Sequence, residues 1–334
     1  MGAPTRVRMA DVAARAGVSI TTVSHVLSDR RPVAPATKQR VLEAIESLGY
    51  QPSELARSLR MRRTHTVALL IPDITNPFYP TLARGLQDVL RSGGYHSVVC
   101  NTDNDRDEER AFLEEMVARS VDGIVIVGFG TDENLLMRAA AGIPVVAFGP
   151  KFSLAVGDIV GVDDEAGMAE ATRYLLDKGL EPIGYVGPAS DAGPGRSRRR
   201  GYEEALAAAG RAVDPALVVG DDYTRESGAA AMRALLDGGR LPRAVVCAND
   251  LIAIGVLDVA RERGIAVPDD LAVVGFDDIE AASFTSPRLT TVVNPAYDQG
   301  RMAGQLLLAR LTGADDGPHR KVILGCRLVV RESA

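Results

Sequence analysis

Cysteine and histidine are scarce in this chain, three of one and four of the other among 334 residues. Cys100, Cys247 and Cys326 lie far apart and are odd in number. They read as buried thiols in a reducing cytoplasm rather than as a disulfide framework. The histidines are equally scattered, and no Cys/His cluster has metal-ligand spacing. No metal and no cofactor are expected. No run of eighteen apolar residues occurs, so no membrane-spanning helix is expected. Met1-Gly-Ala-Pro-Thr-Arg-Val-Arg8 contains no apolar h-region, so no secretory leader is expected. There is no P-loop, nucleophile elbow or zinc motif, and the glycines of Val127-Gly-Phe-Gly130 are too few for a dinucleotide fingerprint. These gaps argue against an enzyme. What remains is ordinary globular composition, 46% hydrophobic and 25% charged, with length for two or three domains.

Charge is unevenly placed. Residues 1–63 hold 11 Lys and Arg against 5 Asp and Glu, a net of +6, which leaves −12 on residues 64–334 of a chain whose total is −6. A basic head can neutralise phosphates, whereas an acidic body is repelled by them. This asymmetry suits a nucleic-acid-binding module on a soluble carrier.

The basic head has its own pattern. Met9, Val12, Ala13 and Ala16 repeat as one face of a helix. Gly17 can end it in a left-handed turn, and Ser19 is a natural N-cap for the next helix. Val23, Val26 and Leu27 face inward there, leaving Ile20, Thr21 and His25 outward. Periodicity alone also fits an ordinary α-hairpin. With the charge, it fits a helix-turn-helix whose second helix touches base edges with its first residues. A third helix is expected from about Pro35 to Leu48, with Val41, Leu42, Ile45 and Leu48 as its apolar face and Gly49 as its stop. The core of the head would be Val12, Val23, Val26, Val41, Ile45 and Leu48. Beyond Pro52, Ser53 can cap a helix of barely two turns, too short to be stable alone. A plain linker fits the same residues.

From Thr66 the pattern changes. Short β-branched runs at 67–72, 97–100, 123–128 and 144–148 are followed by helical patterns at Tyr79–Ser92, Arg106–Arg119 and Thr131–Ala141. The alternation resumes with runs at 183–188, 216–219, 244–247 and 271–276. Fully apolar strands alternating with helices mean parallel sheets covered on both faces. Two series suggest two α/β lobes, with ligands bound beyond the carboxyl ends of the strands, in a cleft.

Several motifs then fall in order: Asp11-Val-Ala-Ala-Arg-Ala-Gly-Val-Ser19, Leu48-Gly-Tyr-Gln-Pro52, Leu55-Ala-Arg-Ser-Leu59, Ile71-Pro-Asp-Ile-Thr-Asn-Pro-Phe78, Asn249-Asp250, Val274-Gly-Phe-Asp-Asp278 and Val329-Val-Arg-Glu-Ser333. Together they make the chain resemble the lactose/galactose repressor family of bacterial transcription regulators over nearly its whole length. The resemblance implies a small all-α helix-turn-helix DNA-binding head (1–52) and a hinge helix and linker (53–64). It also implies an α/β core like the type I periplasmic sugar-binding proteins (65–334). Within that core, lobe 1 would span about 65–163 plus 295–322, and lobe 2 about 164–294 plus 323–334. A homodimer on a pseudo-palindromic operator of double-stranded DNA, switched by a small sugar-like effector, is the implied function. No leucine heptad trails the Arg331-Glu-Ser motif, so a dimer is expected rather than a tetramer.

On the DNA side the resemblance places Ile20, Thr21 and His25 at base-reading positions, and Ser19, Thr22, Ser24 and Thr37 near phosphates, which position without specifying. Leu59 matches a wedge leucine that unstacks the central base step from the minor groove, with Arg57 beside it as a minor-groove or phosphate contact. On the effector side it points to Asn76, Phe78, Arg196 (Arg198 in reserve), Tyr223, Asn249, Asp277 and Asn294. Asn249 and Asp277 would equally serve as helix caps, and the Arg-rich run as solvated surface. Two departures stand out. His25 replaces a common arginine and offers one hydrogen bond where arginine forks onto guanine. Gly149-Pro150 stands where an aspartate is frequent, so a nucleoside, sugar phosphate or cyclitol fits as well as a hexose or pentose. A transport binding protein would share the core but lack the basic head. A regulator with a protein corepressor would share everything but the small ligand.

Overall fold

The computed structural model describes residues 7–28, 31–50, 63–128, 131–149, 152–188 and 193–334. The chain divides into two units, Met1–Thr64 and His65–Ala334.

In the first unit α1 (Met9–Ala16), α2 (Ile20–Ser28) and α3 (Pro35–Leu48) follow one another. Gly17 ends α1 at φ 65°, in the left-handed region that side-chain-bearing residues avoid. The Thr22 amide donates to Ser19 Oγ at 3.1 Å, so the serine caps α2. Val12, Val23, Val26, Val41, Ala44 and Tyr50 form the core, with Ile45 and Leu48 at its margin. Leu42, expected on the apolar face of α3, is 45% exposed. The inward face is Val41, Ala44, Ile45 and Leu48, and one residue along a helix turns the side chain by about 100°. The hinge positions Arg57 and Leu59 lie outside the described residues.

Among the described residues the second unit holds two six-stranded sheets. The first has β1 (Thr66–Ile71), β2 (His96–Asn101), β3 (Gly123–Val127), β4 (Val145–Phe148), β5 (Asp158–Val162) and β11 (Lys321–Leu324) in the order β11-β5-β4-β3-β1-β2. All its pairings are parallel. The second has β6 (Ile183–Val186), β7 (Val218–Val219), β8 (Ala244–Cys247), β9 (Ala272–Asp277), β10 (Thr290–Val293) and β12 (Arg327–Val329) in the order β12-β10-β9-β8-β6-β7. It is parallel except where β12 meets β10.

The apolar character of β1 follows from burial on both sides. Val67, Leu69 and Ile71 face a layer that includes α4 (Phe78–Ser92) and α11 (Ala296–Thr312). Ala68 and Leu70 face the layer of α5 (Arg106–Ala118) and α6 (Glu133–Ala139). The second sheet is covered by α7 (Asp164–Asp177), α8 (Gly195–Ala208), α9 (Arg225–Asp237) and α10 (Asp250–Glu262).

Two details differ from the expectation. The first half of the run at 216–219 belongs to a 3₁₀ turn, Pro215–Leu217, leaving two strand residues; Pro215 has no N–H to give a ladder. The last crossing between lobes lies at Gly325-Cys326, not at 322, because Lys321–Leu324 pairs without a break with Ile159–Val162. Cys100 and Cys247 are buried and Cys326 half-buried, all free.

Candidate functional site

The head presents α2. Ile20, 52% exposed, and Thr21 stand clear of the core at its first turn, while Ser24 and His25 lie half-buried on its flank. Ser19 Oγ and Thr22 Oγ1 share a 2.9 Å hydrogen bond, which fixes both hydroxyls at the helix start. Thr37 is half-buried on the first turn of α3.

In the core, loops and helix starts at the carboxyl ends of the strands converge on a cleft of about 220 Å³. Asn76, Phe78, Tyr223, Asn249, Asp277 and Asn294 all line it. Arg196 does not; it is exposed, and the guanidinium in the cleft is that of Arg198. Residues two apart on a helix point about 200° apart, so only one of this pair can face the cleft. The other faces solvent.

Arg198 is the organising cation. Nε donates to Asp164 Oδ1 at 2.7 Å and Nη1 to the Ala248 carbonyl at 2.6 Å. Nη2 lies 3.3 Å from Asp277 Oδ1. Its flat face stacks on Phe276, 3.8 Å from the ring centroid. Burial opposes its charge, but Asp164 and Asp277 outweigh that and hold it protonated. Burial raises the Asp164 carboxyl against the pull of Arg198. Burial likewise pushes Asp277 up to about 6, opposed by Arg198 and Asn294.

Asp277 sits at φ 111° and Asp278 at φ 54°, a strained corner that its surroundings must hold. Asp250 accepts from the Ile279 amide at 2.8 Å and from Thr291 Oγ1 at 2.5 Å. Arg331 Nη2 donates to Asp278 at 2.6 Å, and Asn294 Nδ2 to Asp277 at 2.9 Å. Gln299 Nε2 orients Asn294 through its Oδ1 at 2.6 Å. Asn249 does two jobs. Its Oδ1 caps α10 by accepting from Ile252 N, while its Nδ2 donates to the Tyr223 carbonyl at 2.9 Å.

Sequence reasoning missed Asp164, Tyr79, Phe148 and Gln299, all on the cleft wall. Asp164 had a signal, since Asp163-Asp164 directly follows the apolar run Ile159-Val-Gly-Val162. The opposite wall is apolar, with Leu82, Val127, Phe148 and Ile159. Hydrogen-bonding groups on one side and aromatic or aliphatic faces on the other suit a polar ligand with apolar ring faces.

A helix-turn-helix head on a two-sheet core with such a cleft defines a DNA-binding transcription regulator carrying a periplasmic-binding-protein-like domain. The family described as bacterial regulatory proteins, lacI family, matches residues 8–53, and the periplasmic binding protein-like domain matches 172–334. The HTH-type transcriptional regulator RegA of Clostridium saccharobutylicum is 37% identical over 97% of this chain and 98% of its own length. The ribose operon repressor of Escherichia coli K12 is 38% identical over 91% and 93%. Among solved structures, a transcriptional regulator CelR–cellobiose complex is 35% identical, covers 98% of this chain and 100% of that one, and superposes with a TM-score of 0.74. The chain belongs to the lacI family of bacterial regulatory proteins, whose members here are regulators of transcription and not enzymes. Among the described residues no helix is long and apolar enough to cross a membrane.

Proposed function

We propose that this protein is a repressor that binds a pseudo-palindromic operator as a homodimer and is switched by a small polar ligand in the cleft. The observation that carries the reading is the buried Arg198–Asp164–Asp277 constellation at the strand ends, in a chain whose basic head exposes Ile20 and Thr21. Ile20 offers only apolar contact to a thymine methyl or to groove shape, Thr21 a hydrogen bond, and His25 a single one. Leu59 acts as the minor-groove wedge with Arg57 beside it. The names of the relatives, a ribose operon repressor and a cellobiose complex, favour a sugar as the ligand. Exposed apolar surface favours a partner copy: edge strand β2 carries Val98 and Val99 at 44% and 38% exposure, and Phe284 is 74% exposed.

The ligand shifts DNA affinity by its differential affinity for two arrangements of the core. The coupling is reciprocal, so operator changes ligand affinity by the same factor. Selection of binding sites from random duplexes with the full chain tests the DNA half. A pseudo-palindrome with a flexible pyrimidine–purine step at its centre is expected, and Leu59→Gly should lose it. Enrichment of single, unpaired half-sites would overturn the dimeric reading.

A further inference from the structure

β10 ends at Val293 and α11 begins at Ala296, so the chain leaves the second sheet for the lobe of the first in two residues, Asn294-Pro295. Glutamine is seldom buried, yet Gln299, one turn into α11, is 3% exposed. Burying an amide is unfavourable unless its polar atoms find partners. Gln299 Nε2 donates to Asn294 Oδ1 at 2.6 Å. Asn294, 5% exposed, turns the other end of its amide the opposite way, and Nδ2 donates to Asp277 Oδ1 at 2.9 Å. That oxygen also lies 3.3 Å from Arg198 Nη2. The Asn294 amide therefore has one end in each lobe.

We propose that Gln299 is a positioning residue for the switch. Its amide ties the Arg198–Asp277 cluster of the second lobe to α11 of the first, and so biases the arrangement of the lobes before any ligand arrives. This rests on the reading above that the core has two arrangements of unequal operator affinity.

The backbone shows why the tie responds to lobe movement. Gln299 N donates to the Pro295 carbonyl at 2.9 Å and Ala296 N to the Asn294 carbonyl at 2.7 Å. Pro295 to Gln299 is thus one hydrogen-bonded turn that moves with α11. A Cβ at Gly300, the next residue, would run into the Leu82 carbonyl, so this turn is also held against α4. The Asn294 side chain and its backbone N–H are held instead by Asp277, at 2.9 and 3.4 Å. A rotation of the lobes about Asn294-Pro295 must part or reset the Gln299–Asn294–Asp277 relay. The arrangement that keeps it intact gains that hydrogen bond, and the equilibrium shifts accordingly.

The relay restricts the side chain at position 299. An ionised Asp277 only accepts, so Asn294 gives it the NH₂ end and turns its carbonyl oxygen toward α11. Position 299 must then supply a donor, and glutamine does so without adding charge. Methionine would fill a similar volume and leave Asn294 Oδ1 buried without its donor. Glutamate has the same shape but, ionised, only accepts, and Asp277 stands one side chain away.

The test reads operator affinity of the full chain without ligand, by fluorescence anisotropy on the selected duplex, beside the urea midpoint of the core. Gln299→Met and Asn294→Ala should each shift operator Kd by about five-fold or more. In the double variant the shift should not exceed the larger single one, because both act through one hydrogen bond. Gln299→Glu, taken relative to the parent at each pH, should be shifted at pH 8 and recover as pH falls to 6, where a protonated carboxyl regains a donor for Asn294 Oδ1. Gln299→Met should stay shifted throughout. Parental operator Kd in Gln299→Met and in Gln299→Glu at pH 8, with only the urea midpoint lowered, would overturn the proposal, as would additive shifts in the double variant. If Gln299→Met fails to fold, Gln299→Glu decides, and a shift that does not recover at low pH overturns the proposal. A parent chain that binds no duplex would overturn the repressor reading and the proposal with it.

Discussion

At the scale of single residues, Arg196 and Arg198 make the sharpest contrast. Both were visible in the sequence, and a run of adjacent arginines could not say which faces inward. Helical phase relative to Gly195 and the sheet decides it. Arg198→Ala leaves Asp164 and Asp277 buried without their cation. A broken buried pair costs about 3–5 kcal/mol, so a large fall in the core's unfolding free energy in urea is expected. Arg196→Ala, on an exposed side chain, should stay within about 0.5 kcal/mol of the parent. Asp277 gives a second prediction. Burial lifts its carboxyl from an ordinary 3.8 to about 6 in the folded chain. Between those values the folded protein holds a proton that the unfolded chain has released. Its contribution to stability is therefore fullest below about pH 4 and is lost as pH rises through about 6. Denaturant unfolding from pH 4 to 7 should show the parent losing stability relative to Asp277→Asn as pH rises. A difference constant across that range would contradict the assignment.

At the scale of elements, periodicity revealed most helices and the strands that are apolar from end to end. It did not bring out β5 or β10, because each carries polar residues whose burial is satisfied from afar, nor β11, whose four residues are exposed or half-buried. Asp158, at the start of β5, pairs with Arg310 at 2.9 Å. In β10, Thr290 Oγ1 accepts from the Arg331 amide and Thr291 Oγ1 donates to Asp250. None of those partners is near in sequence. The close pairing of α4 with α11 was equally hidden, although its glycines were in view. A Cβ at Gly85 would run into the Tyr297 carbonyl, and one at Gly300 into the Leu82 carbonyl. Neither backbone can yield without separating the helices. Gly85→Ala and Gly300→Ala should each destabilise the core by about 1–3 kcal/mol, measured as a shift in urea midpoint at unchanged slope. In the head, Leu42→Gln should be nearly silent, since Leu42 faces solvent, whereas Val41→Ala at the head's centre should lower the melting temperature.

At the scale of the whole molecule, the division of charge announced two functions before any motif did. The basic head predicts DNA affinity that falls steeply with salt, since each phosphate neutralised releases counterions. The cleft is harder to see in one dimension, because its polar residues run from Asn76 to Lys321. What unites them is position at the carboxyl ends of parallel strands and at the crossings between two sheets. The alternation of strands and helices made that plausible, while the three crossings only became definite with the pairing of β11 and β12. Coupling between cleft and head is the central claim. The most direct measurement is fluorescence anisotropy of the full chain on its selected operator duplex, alone and with saturating amounts of a sugar that the core binds. The account predicts a change in operator Kd of roughly 5- to 150-fold, matched by an equal change in sugar affinity when operator is added. A sugar that saturates the core and leaves operator Kd unchanged would contradict it.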